Sequence, residues 1–131
     1  MSETHPAITV LGQFDPSDIE ASAHLFTEDA VWHYSNPNLP ELEGDYVGGA
    51  GIGAFFATLA RKTHGTFRIE PISVTPVGAE LVVVQARNTL TLDARNVTVD
   101  VVVVWRIVAG RITEVWDIVP GQPTEVHNAR D

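Results

Sequence analysis

Asp117 stands inside Gly110-Arg111-Ile112-Thr113-Glu114-Val115-Trp116-Asp117-Ile118-Val119, a run that opens at a glycine turn and stops at Pro120 and Gly121. The run reads as a β-strand, and strands deplete aspartate. Burying an unpaired carboxylate is costly. Asp117 therefore faces water, or it faces a cavity in which its charge is used. In a cavity it would be a general base, its pKa lifted towards working pH by desolvation. Strand geometry puts Thr113, Val115, Asp117 and Val119 on one face and Ile112, Glu114, Trp116 and Ile118 on the other. Each face carries one acid, so alternation alone does not choose between them.

Arg87 lies in another apolar run, Val82-Val83-Val84-Gln85-Ala86-Arg87-Asn88-Thr89-Leu90, and shares a face with Gln85 and Thr89. A buried arginine needs an acid. If that face lines a cavity, Arg87 can pair with Asp117 or hold a substrate anion or enolate. Otherwise its stem covers apolar surface. Tyr34 and Asn36 can hydrogen-bond a substrate; equally, Tyr34 can be core and Asn36 a turn residue. In a regular strand His33 points to the opposite face from Tyr34, and it acts as a proton shuttle only if that strand is bulged or the faces are assigned the other way round. Asp100 interrupts a valine run, and an ion pair with Arg106 or across strands is its expected use. Trp32, Phe55, Phe56, Trp105 and Trp116 supply apolar walls, and a subset lining a cavity would suit a hydrophobic ligand. The remaining histidines lack metal-ligand spacing, so no metal site is expected. No phosphate-binding loop, dinucleotide fingerprint or nucleophile elbow occurs, and no cofactor is expected.

The totals narrow the setting. A chain of 131 residues fits one domain, with residues 121–131 as a polar tail. Absence of cysteine excludes a disulfide scaffold and thiol catalysis. With 17 acids against 8 basic residues the net charge is −9, which repels nucleic acid and anionic membranes. The opening Met-Ser-Glu-Thr-His-Pro lacks the basic and apolar regions of a secretory signal, and no apolar run could span a bilayer. A cytoplasmic protein is expected.

These residues must be positioned by recognisable elements. Pro6 to Phe14 carries a short helical stripe, and a second helix is expected from Asp15-Pro16-Ser17-Asp18 to Thr27-Glu28-Asp29. Ala30 to Ser35 reads as a strand. Glu41 to Gly51, with four glycines, reads as a loop. Ile52, Phe55, Phe56 and Leu59 recur at i, i+3, i+4 and i+7 and predict an amphipathic helix. Four strands follow: Thr66–Val77, broken by prolines and so edge or bulged, then Ala79–Leu92, Val97–Val108 and Gly110–Val119. The order predicts an α+β fold, three helices on one face of a curved antiparallel sheet. Valine on both faces of Val97–Val108 predicts a homodimer through the uncovered sheet face.

Together, Leu25-Phe26-Thr27-Glu28-Asp29-Ala30-Val31-Trp32-His33, the Glu43 to Phe56 glycine-rich loop and helix, His64-Gly65-Thr66-Phe67, and Trp105-Arg106-Ile107 through Trp116-Asp117 resemble the nuclear transport factor two-like superfamily in its SnoaL-like branch. The resemblance covers about residues 5 to 120. It implies a cone-shaped α+β barrel enclosing a pocket, often dimeric, whose members include ketosteroid isomerases, polyketide cyclases, limonene-epoxide hydrolases and non-enzymes, so fold does not fix activity. It implies that Asp117 occupies the place of a pocket base, and that Tyr34 and Asn36 match a tyrosine–asparagine pair that holds water in epoxide hydrolases. Where those enzymes carry Arg-x-Asp, this chain has Arg87-Asn88-Thr89 and lacks the second acid. Asn36-Pro37 stands where isomerases place a catalytic aspartate. The expected activity is cofactor-free acid–base chemistry on a small hydrophobic molecule, with Asp117, Arg87 and Tyr34 catalytic and Asn36, Trp32, His33, Phe55, Phe56 and Trp105 binding substrate. The alternative is a non-catalytic ligand-binding or dimeric interaction domain.

Overall fold

The computed structural model describes residues 6–15, 18–92 and 94–121, and the backbone of 125–128. Two short helices open it, α1 (Pro6–Leu11) and α2 (Ile19–Ser22), followed by a 3₁₀ turn at Ala23–Leu25. Asp18 caps α2 by accepting the Ala21 N–H at 3.1 Å, while Pro16 and Ser17 of the expected start signal lie outside the described residues. The second helix is much shorter than its apolar stripe predicts. The chain turns extended at Phe26, and β1 runs Phe26–Ser35, because sheet pairing along this aromatic and β-branched segment overrides weak helical periodicity.

The glycine-rich stretch is not a loop throughout. β2 (Gly44–Val47) pairs with β1, and α3 (Gly48–Lys62) starts at once. Gly48 makes that junction possible with φ +72, a conformation glycine reaches without a Cβ penalty. α3 buries Ile52, Phe55, Phe56 and Leu59, the predicted stripe. Its last turn carries Arg61 and Lys62, placed to complement the helix dipole. Gly65 then donates back to the Ala60 carbonyl at 2.9 Å from the left-handed region, φ +73.

Four longer strands follow: β3 (Arg68–Val77), β4 (Leu81–Leu92), β5 (Arg95–Val108) and β6 (Arg111–Ile118). The sheet order is β2-β1-β6-β5-β4-β3. β3 is the proline-bearing edge, with a bulge at Ile72. The sheet is mixed, and this corrects the expected all-antiparallel arrangement: β1 pairs with β6 in parallel, Tyr34 opposite Asp117. The polar tail also contributes structure, since β7 (Glu125–Asn128) pairs with β5. Among the described residues no helix is long and apolar enough to cross a membrane.

One face of the sheet is covered by α1 and α3. The buried residues of β5 are Val99, Val101, Trp105 and Ile107, all on that face. The opposite face leaves Val102 and Ile118 exposed, the latter by 47%. Valine on both faces of β5 therefore does not mean cover on both sides within one chain.

Candidate functional site

A cavity of about 390 Å³ lies between α1, α3 and the inner face of the sheet, walled mainly by apolar side chains that include Phe14, Phe56, Val84 and Val103. Asp117 enters it two residues after the buried Val115, on the same strand face, and a local irregularity adds Ile112 to that face. Ile107 pairs with Ile112 and Arg106 with Glu114, so Thr113 is an extra residue bulged out of β6. Strict alternation from Thr113 onward would leave Ile112 on the outer face. The bulge instead lets Ile112, Val115 and Asp117 all face inward, the first two fully buried.

Across the sheet, Asp117 is in register with Tyr34 on β1 and Val103 on β5. Its Oδ1 is sealed from solvent and has no hydrogen-bond partner among the described residues. Burial raises its pKa from an ordinary 3.8 to about 7, and the nearby Trp32 indole opposes the rise. The Trp32 Nε1–H does not itself reach hydrogen-bond geometry with any described acceptor. Asp117 can therefore hold or release a proton near neutrality.

Tyr34 is buried on the same wall. Its hydroxyl accepts the Asn36 amide N–H at 2.8 Å, which leaves its own proton to donate. Asn36 is itself fixed: its Oδ1 accepts the Asn38 backbone N–H and its own backbone N–H donates to Glu43, both at 2.9 Å. Burial raises the Tyr34 pKa, donation from Asn36 counters this, and the Asp117 charge adds to the rise. Tyr34 thus stays a neutral phenol and a donor. The spacing of Tyr34 and Asn36 does bring them together, with Asn36 orienting Tyr34 from behind.

Trp32, Phe56 and Trp105 line the cavity. The rings of Trp32 and Trp105 meet edge to face, 5.3 Å apart. The Trp105 Nε1–H, like that of Trp32, is buried with no partner among the described residues. Phe55 is not part of the wall. It is fully buried behind it, 4.7 Å from the Tyr34 ring and 4.8 Å from the Tyr46 ring.

Two expected site residues lie elsewhere. Arg87 is exposed on the outer face of β4 and pairs with Asp100, its cross-strand neighbour, at 2.8 Å. The expected convergence of Arg87 with Asp117 does not occur, because the inward positions of β4 are Val82, Val84, Ala86 and Asn88. The cross-strand ion pair expected of Asp100 is present. His33 is also on the outer face, between Asp45 at 2.7 Å and Glu114 at 2.6 Å, and stacks on Trp116. Partial desolvation works against its charge, but the hydrogen bonds to Glu114 and Asp45 prevail and raise its pKa above 6.5. It is not a proton shuttle into the cavity.

Sequence reasoning missed Asn88. It lines the cavity, is 7% exposed, and its Oδ1 has no partner among the described residues. The signal was parity: one position along from Arg87, it continues the small apolar series Val82, Val84, Ala86. Among the described residues no group of three or more histidine or acidic side chains converges as metal ligands.

The model of the SnoaL-like domain matches residues 10–115. The chain belongs to the SnoaL-like family. Solved structures similar to this SnoaL-like chain include TerC co-crystallized with polyporic acid, which is 26% identical, covers 88% of this chain and 92% of its own, and has a TM-score of 0.76. Bal32a, from a soil-derived mobile gene cassette, is 24% identical over 87% of this chain and 86% of its own, TM-score 0.72. A nuclear transport factor two-like protein of unknown function from Burkholderia pseudomallei is 22% identical over 92% of both chains, TM-score 0.77. No curated protein sequence matches this SnoaL-like chain significantly.

Proposed function

We propose that this SnoaL-like protein is a cofactor-free enzyme for a small hydrophobic molecule, with the cavity as its ligand pocket inside a cone-shaped fold and Asp117 as its general base. The observation that carries this reading is the Asp117 carboxyl: sealed on one oxygen, without a partner among the described residues, and poised near neutral pH in an apolar cavity. A structural aspartate would have acquired a donor, since a buried orphan acceptor costs about 1–3 kcal/mol. Asp117 takes a proton from a carbon next to a carbonyl and leaves an enolate. The Tyr34 phenol, on the same wall as Asp117, is the donor for the enolate oxygen. Return of the proton at another carbon gives isomerisation, and attack of the enolate on a second carbonyl gives ring closure. The likeness to TerC, co-crystallized with polyporic acid, supports a small organic ligand.

A panel of apolar cyclic ketones incubated in deuterium oxide tests this, because exchange next to the carbonyl reports proton removal whatever the final product. The wild type is expected to accelerate exchange on a subset, Asp117→Asn to lose about 10²-fold or more, and Tyr34→Phe about tenfold. Exchange by Asp117→Asn at the wild-type rate would remove Asp117 as base.

The second reading is a non-catalytic ligand-binding domain. It is favoured by the single carboxylate among the lining residues and by the position of Arg87 outside the cavity. On that reading ketones bind and none exchanges. We also propose that a second copy covers the outer sheet face, where Val102 and Ile118 are exposed.

A further inference from the structure

We infer that the cavity binds apolar amines in their protonated form, with Asp117 as counter-ion to the ammonium and Trp32 and Trp105 against the carbon skeleton. This goes beyond the reading of Asp117 as a base. It needs only that the carboxyl can ionise inside the cavity.

The sheet register puts the charge beside an aromatic wall. Along the inner face of β6, Val115 lies between Trp32 on β1 and Trp105 on β5. The next inward position is Asp117, between Tyr34 and Val103. Two residues along a strand span about 6.6 Å, so the skeleton of a molecule anchored at the Asp117 carboxyl reaches both indoles. Phe14 packs on the pair, its ring centre 6.0 Å from that of Trp32 and 5.2 Å from that of Trp105. Such rings suit an apolar skeleton, and their faces attract a cation. The Asp117 Oδ1 is sealed, but the residue as a whole is half-buried and lines the cavity. The oxygen it turns to the cavity is therefore Oδ2. The cavity volume, about 390 Å³, falls within the range of small-molecule sites.

Nothing in the wall neutralises this carboxylate. Among the described residues none that lines the cavity is basic. Basic side chains of the neighbouring strands are engaged on the outer face: Arg87 with Asp100, His33 between Asp45 and Glu114, and Arg106 over the Trp116 ring. The titratable group beside Asp117 is Tyr34 of β1, a neutral phenol. β5 faces it with Val103, and α1, α3, β3 and β4 line the cavity with side chains that do not titrate. A charge withdrawn from water needs a partner. Folding has already desolvated the carboxyl, so an entering ammonium adds only its own desolvation, offset by a charge-assisted hydrogen bond. A neutral ligand leaves the charge unpaired, and an anionic one adds a like charge.

Pairing favours the ionised carboxyl, and this sets the pH dependence. Free Asp117 titrates at about 7. Below that value the ammonium must displace a proton, so affinity falls about tenfold per pH unit. Above it affinity is flat while the amine stays protonated.

The test uses the full chain and two compounds of one skeleton, bornylamine and borneol, which differ by an ammonium against a hydroxyl. Isothermal titration calorimetry at pH 8 should show the amine bound about tenfold or more tightly than the alcohol. Between pH 8 and pH 5 the affinity for the amine should fall about a hundredfold, while that for the alcohol stays level. Asp117→Asn, its fold checked by a cooperative melt, should lose both the preference and the pH dependence. In the wild type, saturating bornylamine should also lower the Asp117 titration midpoint below about 7, read by carbon-13 NMR. Equal affinities at pH 8, binding of neither compound, or an unmoved midpoint would overturn the inference. So would a preference that survives Asp117→Asn, which would trace it to the net charge of −9. Ketone exchange that depends on Asp117, found without an amine preference, would overturn this inference alone. An amine preference without exchange would uphold it while the base reading fails.

Discussion

Asp117 favours folding while protonated and opposes it once ionised. Its folded pKa, about 7, lies above its ordinary 3.8, so its contribution is fully present below about pH 4. It falls as pH rises towards 7, because the unfolded chain has already lost the proton that the folded chain keeps, and is flat above. Asp117→Asn should therefore be more stable than the wild type at pH 8, on the order of 2–4 kcal/mol. The difference should shrink at pH 5; urea unfolding at the two pH values measures it. His33 follows the same sign from a different cause. Its pKa is raised above 6.5, so its contribution is present below 6.5 and lost as pH climbs through the higher folded value. His33→Gln should lose stability at pH 6 and approach the wild type at pH 9. A loss equal at both values would mean that the Asp45 and Glu114 contacts do not depend on the imidazolium charge. Asp117 was legible as an awkward acid in an apolar strand. Arg87 was equally conspicuous, but its face follows from strand parity relative to the core, which the run Val82–Val84, apolar at every position, does not reveal.

The elements differ in how plainly their sequences announce them. α3 was legible because Ile52, Phe55, Phe56 and Leu59 repeat at helical spacing and all four are buried. The extension of β1 back to Phe26 and the existence of β2 were not, since both are created by pairing with partners distant in sequence. Bulges are the least visible: nothing local marks Thr113 as the extra residue, yet it sets which side chains accompany Asp117 inward. The glycines of α3 separate conformational need from tolerance. A Cβ on Gly48 would sit 2.9 Å from the Glu28 carbonyl, at φ +72, so Gly48→Ala should cost about 2 kcal/mol. Gly53 is interior to the helix and a Cβ there meets Ile19 at an ordinary 3.7 Å. Gly53→Ala should raise stability by up to about 1 kcal/mol. Thermal melts of the two variants should move in opposite directions.

For the whole molecule, the sheet divides two roles between its faces: the inner one bounds the cavity, and the outer one holds the Arg87–Asp100 and His33 ion pairs beside exposed Val102 and Ile118. If a second copy covers the outer face, light scattering should give twice the 14.2 kDa chain mass. Ile118→Glu should then halve it while leaving ligand binding intact; a wild-type mass equal to one chain would contradict the dimer. The α+β class was legible from element order, but the mixed sheet was not, because the parallel pairing of β1 with β6 joins segments about 80 residues apart. The role of Asp117 as base depends on one property of this arrangement, that it seals one carboxyl oxygen of Asp117 from water without giving it a partner among the described residues. Carbon-13 NMR titration of aspartate-labelled protein, with Asp117→Asn to assign the resonance, measures that property directly. The account predicts a midpoint near pH 7 for Asp117; a midpoint near the ordinary value of 3.8 would contradict it.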